Sequence, residues 1–203
     1  MRDLAVLVPD KNTEHSVRGA FQRPAALGIR ALDYQVFVES GRDPGVRRRG
    51  VQLLSSQRSS FSHALMLMDF EGSGSSLPAA GLEAQLDAAL QAAWQGRAKA
   101  IVIEPEVDIW MWGAETHLRE VVGWTRPVRV RTWLTQRGFH FELGGKPDRP
   151  KEALEALFYD AKRARSSAHY EELARRLSAK RCQDPAFLRL NNALKQWFGV
   201  LQF

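Results

Sequence analysis

The sequence has a single cysteine, Cys182, among its 203 residues. An intramolecular disulfide is therefore excluded, and a reducing compartment such as the cytoplasm is expected. A structural zinc site has almost no thiolate ligands to use, and the five histidines are scattered without ligand spacing. Long hydrophobic runs are also missing, since the run at residues 4–8 ends at Pro9 and has only the length of a strand. We therefore predict no membrane-spanning segment and no membrane partner.

Acidic residues are in the minority. Lysine and arginine number 29 against 23 aspartates and glutamates, which gives a formal net charge of +6. A basic surface attracts phosphate-rich partners, so DNA or RNA is a candidate ligand. The densest basic run is Arg47, Arg48 and Arg49, which we consider as contacts to a nucleic-acid backbone. The alternative is that this run is the solvated start of a helix.

The first half of the chain alternates between short apolar runs and helical patterns. Strands are predicted at residues 4–8, 34–39, 64–68 and 100–103, and helices at 12–27, 47–58 and 81–95. Alternation of this kind predicts crossover connections and a parallel sheet. The sequence therefore predicts an α/β protein with a mainly parallel, four-stranded, Rossmann-like sheet and helices on both faces.

The second half of the chain is predicted to be helical. It forms a C-terminal cap over the sheet, so we predict one domain over 1–203, with a sheet core at 1–108 and a helical extension at 109–203. Four tryptophans lie close together in this half, and packing of the cap is favoured over stacking on bases. They are Trp110, Trp112, Trp124 and Trp133. Helices are predicted at residues 109–124, 128–137, 151–165, 169–180 and 185–198.

Carboxylates follow three of the four predicted strands. The sets are Asp10 with Glu14, Asp69 with Glu71, and Glu104 with Glu106, followed one step on by Asp108. The carboxyl ends of parallel strands meet at one edge of a sheet, where ligands bind. Clustered carboxylates repel one another, and Mg²⁺ or Mn²⁺ prefers such oxygen ligands. The sequence therefore predicts a shared metal site, whereas the alternative is that each acid is a helix cap or a surface charge.

Three short motifs at these places resemble those of Toprim-like proteins, in particular a bacterial branch encoded near anti-phage defence systems. The first is residues 8–14, which resemble a Glu-Gly-Lys-Thr-Glu-like motif after the opening strand. The second is residues 69–71, similar to an Asp-x-Asp motif after a hydrophobic strand. The third is residues 105–110, similar to a Pro-Glu-x-Glu-x-Trp-like motif that opens a helix. The segments at 150–151 and 184–187, and Tyr170, also resemble the branch.

The resemblance implies metal-assisted phosphodiester chemistry and a Toprim-like sheet. Asp69, Glu71, Glu106 and Asp108 would hold Mg²⁺ or Mn²⁺. Catalytic roles fall to Asp10, Lys11 and Glu14, with Asp10 as a ligand or base and Lys11 as the group that neutralises phosphoryl charge. The chain departs from the pattern at three places. The leading glutamate has no exact counterpart, Glu71 replaces an aspartate, and Asp108 replaces a glutamate.

These observations lead to one expected function and two alternatives. The expected function is that of a Toprim-like, metal-dependent nuclease or nucleic-acid-processing subunit of a bacterial anti-phage defence system, with other defence proteins as partners. The first alternative is a catalytically inactive Toprim-like accessory or regulatory subunit that acts through protein–protein interaction. The second is a nucleotide-binding sensor that uses the same crevice.

Overall fold

The computed structural model of the protein describes residues 1–141, 145–177, 180 and 182–200. Its sheet consists of β1 (Arg2–Val8), β2 (Tyr34–Val38), β3 (Phe61–Asp69) and β4 (Ala98–Ile103). The strand order is β2-β1-β3-β4, and every neighbouring pair is parallel. All four strands therefore end at the same edge.

Helices connect the strands in the first half and then form the C-terminal cap. The described residues form α1 (Lys11–Phe21), α2 (Pro24–Leu27), α3 (Arg42–Ser55), α4 (Ala79–Trp94), a 3-10 turn (Val107–Met111), α5 (Glu115–Val122), α6 (Val130–Thr135), α7 (Pro150–Asp160), α8 (Ser167–Ala174) and α9 (Pro185–Phe198). None of the described helices is both long enough and apolar enough to cross a membrane.

The sheet is covered on both faces because the central strands are apolar at nearly every position. On β1, Leu4 and Val6 face one hydrophobic cluster and Ala5 and Leu7 face the other. The first cluster is completed by α1 and by the cap helices α5 to α9, and the second by α3 and α4. The predicted fold class is therefore confirmed: a parallel four-stranded sheet with helices on both faces and a helical C-terminal part.

Several element boundaries differ from the predictions. The helix predicted at 12–27 is two helices, since Pro24 lacks an N–H and begins a new helix, α2. The helix predicted at 47–58 begins at Arg42, because Asp43 and Pro44 belong to its first turn. The prediction of a continuous helix at 109–124 is wrong, because a 3-10 turn and a break precede α5.

Among the cap helices, the last one agrees best with its predicted bounds. Helix α9 has the predicted bounds, and Asp184 accepts hydrogen bonds from the backbone N–H groups of Ala186 and Phe187 at its start. The helix predicted at 169–180 is shorter, ending at Ala174, and residues 178 and 179 lie outside the described part. Packing of the tryptophans is confirmed for three of the four. Trp110, Trp124 and Trp133 are buried, and Trp112 is partly buried.

Helices α1 and α8 cross at an unusually short separation. The crossing is at Gly19, where a Cβ would collide with the backbone carbonyl of Glu171. Only glycine has no side chain to prevent this approach. Beside the crossing, His15 contacts Glu171 through Nδ1 at 2.8 Å. The first helix of the sheet core is therefore held directly against the cap.

Candidate functional site

The carboxyl edge of the sheet carries the residues that the sequence singles out. Asp10 follows β1, Asp69 ends β3, and Glu106 and Asp108 follow β4 after a short turn. Asp43 reaches the same edge from the first turn of α3, which follows β2. We call these five residues, Asp10, Asp43, Asp69, Glu106 and Asp108, the acidic edge.

Asp69 lies at the centre of the acidic edge and is only 7% exposed. Its Oδ1 accepts a hydrogen bond of 2.9 Å from the backbone N–H of Val107, which ties β3 to the segment after β4. The pKa of Asp69 is raised well above its ordinary value, first by burial and then by four neighbouring carboxylates. In decreasing order of effect these are Asp43, Asp10, Asp108 and Glu106. The predicted convergence of Asp10, Asp69, Glu106 and Asp108 is thus present.

Asp43 was not among the predicted site residues. Its Oδ1 accepts a hydrogen bond of 2.7 Å from the backbone N–H of Asp69. Its pKa is raised to about 6, mainly by burial; the hydrogen bond from Asp69 opposes the rise and the charge of Asp10 adds to it. In the sequence, Asp43 follows the glycine-containing turn at the end of the second predicted strand. It would be predicted as a site residue if that turn were interpreted as the start of a helix.

Asp10 and Glu14 are partly committed to α1. Asp10 is its N-cap, with Oδ1 accepting from the backbone N–H of Thr13 at 2.8 Å and from its hydroxyl at 3.0 Å. Glu14 is buried and forms ion pairs with Lys11 at 2.7 Å and Arg18 at 2.8 Å. Burial raises the pKa of Glu14, but these two hydrogen bonds outweigh it and lower the pKa. Among the described residues, the second oxygen of Asp10 has no hydrogen bond, whereas Glu14 already has two cations.

Glu106 combines a pKa near neutral pH with a basic partner on α7. Burial and the charge of Asp108 raise its pKa to about 7, and the charge of Glu71 adds to the effect. Its partner is Lys151, whose Nζ lies 3.5 Å from Oε2. Burial lowers the pKa of Lys151, but Glu106 and Asp108 raise it above its usual value overall. A proton on Glu106 is therefore exchanged near neutral pH.

Asp108 is held by residues of the cap. The hydroxyl of Tyr170 donates to its Oδ1 at 2.5 Å, and Arg165 lies 3.6 Å from the same oxygen. Burial raises the pKa of Asp108, although the Tyr170 hydrogen bond and Arg165 oppose the rise. Lys151, Arg165 and Tyr170 are functional candidates that the sequence did not assign. In the sequence, Pro150, Lys151 and Tyr170 are distinguished only by their resemblance to the Toprim-like branch.

Glu71 lies at the exposed rim of the acidic edge. Its backbone N–H donates to the carbonyl of Pro105 at 2.9 Å, which brings it beside Glu106. Glu71 and Glu106 therefore approach one another from two different strands.

The arginines of the basic run lie on α3, whose first turn carries Asp43. Arg48 and Arg49 are exposed, and Arg49 pairs with the buried Glu39. Arg47 is half-buried and lies beside the loop after β3. Its Nη2 is 3.9 Å from the point where a Cβ would stand if Gly74 were replaced by another residue. Its Nε is buried and has no hydrogen-bond partner among the described residues. Arg47 is therefore the arginine of this run that lies against the loop after β3.

The carboxylates fit some arrangements of a metal ion and not others. In the described part of the chain, no group of three or more His, Cys, Asp or Glu side chains is arranged to hold a metal ion. An all-protein cage of the kind that Ca²⁺ uses is therefore not preformed there. Mg²⁺, in contrast, keeps several waters and is bound by one or two carboxylates together with substrate phosphates. Burial and neighbouring carboxylates raise the pKa of Asp69, and a bound cation would oppose that rise.

A groove of about 1110 Å³ adjoins the acidic edge along β4. It lies between α4, β4 and the start of α9, and its lining includes Glu104 and Pro105 from the turn that leads to Glu106. Its lining contains more acidic than basic side chains: Glu83, Asp87, Glu104, Asp148 and Asp184 against Lys99, Lys146 and Arg189.

No family model matches the chain, and no curated protein or solved structure is significantly similar to it. Interpretation of the site therefore depends on its own geometry and charge.

Proposed function

We propose that this protein is a Toprim-like, divalent-cation-dependent nuclease or nucleic-acid-processing subunit of a bacterial anti-phage defence system, acting in the cytoplasm. The observation that carries the proposal is the convergence of carboxylates from three strand ends and α3 on the buried Asp69. Like charges are gathered at one edge only at a cost in free energy, and bound protons or a bound cation offset that cost.

The cation would be Mg²⁺ or Mn²⁺, held by one or two of Asp69, Glu71 and Glu106, with Asp108 behind them. When bound, it would polarise the scissile phosphate and lower the pKa of an attacking water. Asp69, Asp43 and Glu106 have raised pKa values in the cation-free protein, so they release protons on binding. Apparent cation affinity should therefore increase as the pH rises through about 7.

Basic residues around the acidic edge would position the nucleic acid. Lys11 is largely exposed, with 69% of its side chain accessible, and Lys151 is 44% accessible. Both can contact a phosphate while remaining paired to a carboxylate at the other side. Arg47 has a spare donor beside the loop after β3, and Arg48 is exposed on the next position of α3. Together with the net charge of +6, these residues favour DNA or RNA as the substrate class.

The test is cleavage of single- and double-stranded DNA and RNA with Mg²⁺, Mn²⁺ or EDTA. We expect cleavage that requires the cation and that falls at least about a hundredfold in Asp69→Asn, since the metal supplies several kcal/mol of transition-state stabilisation. Glu152→Gln, which removes an exposed carboxylate on α7, is the matched control and should cleave like the wild type. Cation-independent cleavage, or full activity in Asp69→Asn, would exclude this assignment.

A second candidate function is a catalytically inactive Toprim-like accessory subunit. The observation that favours it is that most of these carboxylates already have partners: Asp10 caps α1, Glu14 pairs with Lys11 and Arg18, and Asp108 is bound by Tyr170. This candidate predicts no cleavage under any of the conditions above. It also predicts co-purification of the chain with another defence protein, unchanged by Asp69→Asn.

A further inference from the structure

An exposed tyrosine ends the apolar face of α7. Tyr159 is the penultimate residue of that helix and is 88% exposed, which makes it the most exposed large apolar side chain in the described part of the chain. Its neighbours Leu157 and Phe158 are buried in the core. The end of the helix is therefore held in place, and the tyrosine ring projects from it into solvent with its faces available to a ligand.

Two clefts of similar size meet at this ring. Their volumes are about 480 Å³ and about 470 Å³, and both are lined by Tyr159 and Asp160. Each volume lies within the range of sites that hold small molecules. Tyr159 therefore forms a shared wall between two spaces, each of which can admit a planar group.

The cleft of about 470 Å³ is basic. It is lined by Arg126, Lys162 and Arg163, with Asp160 as the acidic side chain among its described lining residues, and we call it the basic cleft. Arg126 pairs with Asp160 at 2.6 Å. Lys162 and Arg163 are exposed and form no ion pair within the described residues, although Arg163 Nη1 donates to the carbonyl of Val121 at 2.7 Å. The basic cleft thus has two positive charges without a carboxylate partner.

The cleft on the other side has the opposite balance. Arg137 is its basic side chain, against Glu152, Glu155 and Asp160. These carboxylates repel phosphate groups, whereas the basic cleft attracts them. A phosphate-bearing ligand that contacts Tyr159 would therefore place its phosphates on one side of the ring only.

We propose that Tyr159 and the basic cleft bind single-stranded nucleic acid. A base would stack on the tyrosine ring, and the adjoining phosphates would contact Lys162 and Arg163. An aromatic platform beside cations that follow the backbone is the combination that binds single strands without reading their sequence. Within a duplex the faces of the bases are already stacked on one another, so this surface favours a single strand. The choice of nucleic acid as the ligand rests on the proposed function, and the inference narrows its substrate to single strands.

The position of Tyr159 relative to the acidic edge agrees with this role. Lys151, at the other end of α7, has its Nζ 3.5 Å from Glu106 Oε2. Eight residues of helix separate Lys151 from Tyr159, a distance of about 12 Å along the axis. At about 3.4 Å per stacked nucleotide, a strand of three or four nucleotides covers that distance. A strand held at Tyr159 is therefore long enough to reach the carboxylates.

The test is fluorescence anisotropy of a labelled oligothymidine of about 12 nucleotides, with the full chain in EDTA so that no cation-dependent cleavage occurs. We expect the single strand to bind more tightly than a duplex of the same length. Tyr159→Ala should weaken binding of the strand about tenfold, because a stacked base is lost. Tyr159→Phe keeps the ring and should bind like the wild type. Both variants alter a solvent-exposed side chain, so folding should be unaffected.

The charge of the basic cleft is tested separately with Lys162→Gln. We expect weaker binding and a shallower dependence on salt, with the slope of log K against log salt reduced by about 0.7, as for one phosphate contact to a single strand. The matched control is Lys195→Gln, the same change at an exposed lysine of α9 that lines neither cleft. It should bind the strand with the affinity and the salt dependence of the wild type.

Four results would overturn the inference: no binding of the strand by the wild type, equal or tighter binding of the duplex, wild-type binding by Tyr159→Ala, or an equal loss in Tyr159→Phe and Tyr159→Ala. The third is expected if the ring instead contacts a protein partner. Failure of the proposed function is distinguishable. Binding that depends on Tyr159 without any cleavage would exclude the nuclease assignment alone, whereas cleavage with binding that ignores Tyr159 would exclude this inference alone.

Discussion

Individual buried polar residues in this protein are positioned by partners from distant parts of the chain. Tyr170 is the clearest example, since it is fully buried and its hydroxyl lies between Asp108 and Arg165. Burial and the neighbouring negative charge of Asp108 raise the pKa of Tyr170, so the hydroxyl stays protonated and donates. The place of Asp108 after a strand predicts it as a site residue, but its partner is 62 residues away and no local pattern indicates that partner.

Replacement of Tyr170 by phenylalanine tests this contact. Tyr170→Phe removes the donor from a buried carboxylate, so we expect the free energy of unfolding to fall by about 1.5–3 kcal/mol, as for hydrogen bonds to charged groups. Urea denaturation monitored by circular dichroism measures the change. The control is Tyr159→Phe on α7, where the ring is 88% exposed and the loss should be close to zero. Equal stability of the two variants would show that Asp108 is satisfied without Tyr170.

At the scale of elements, the strands were easier to predict than the helix starts. Apolar runs identify buried strands because both of their faces are covered. The start of α3 was missed because Pro44 and Gly45 are typical of a turn, although proline is also accepted in the first turn of a helix. Because the predicted start of α3 was wrong, Asp43 was not predicted as a member of the acidic edge. The remaining members are predicted because each lies at the end of a strand or shortly after it.

The free edge of β4 is another feature of this scale. Glu83 and Asp87 of α4 accept hydrogen bonds from the backbone N–H groups of Val102 at 2.8 Å and Ala100 at 2.9 Å. Arg189 of α9 binds both Glu83 and the carbonyl of Val102. Edge strands with unpaired N–H groups promote pairing between molecules, and here side chains occupy those groups.

Glu83→Ala should therefore have two effects. Loss of the acceptor leaves the N–H of Val102 without its partner, which should lower the free energy of unfolding by about 1–3 kcal/mol. It also opens the edge, so self-association should increase with protein concentration, as measured by light scattering after size-exclusion chromatography. Gln85→Ala, an exposed residue on the same helix, should change neither property. A monomeric Glu83→Ala of wild-type stability would contradict this account of the edge.

At the scale of the whole molecule, the acidic edge determines how stability changes with pH. The pKa of Asp43 is raised from 3.8 to about 6 and that of Glu106 from 4.5 to about 7. The folded state therefore binds more protons than the unfolded state, so the contribution of both groups is present at low pH and is lost as the pH rises through the raised values. Asp3 has the opposite effect, since Arg30 lowers its pKa to about 2, but this acts only in strong acid.

We expect the midpoint of thermal unfolding in EDTA to decrease as the pH rises from about 5 to about 8. Asp43→Asn should flatten the part of this decrease around pH 6, because the amide oxygen still accepts from Asp69 but no longer titrates. Mg²⁺ should restore the midpoint most strongly at the upper end of the range if the proposed function is correct. A midpoint that rises steadily over this range, in the variant and the wild type alike, would rule out control by the acidic edge.

The crossing of α1 and α8 at Gly19 has a consequence for the walls of the acidic edge. One wall is the start of α1, which carries Asp10, and another is Tyr170 on α8. With backbone against backbone at the crossing, there is no side chain whose rotation could absorb a displacement of either helix. We therefore expect a displacement of α8 to be accompanied by a displacement of α1, and with it of Asp10 at the start of that helix.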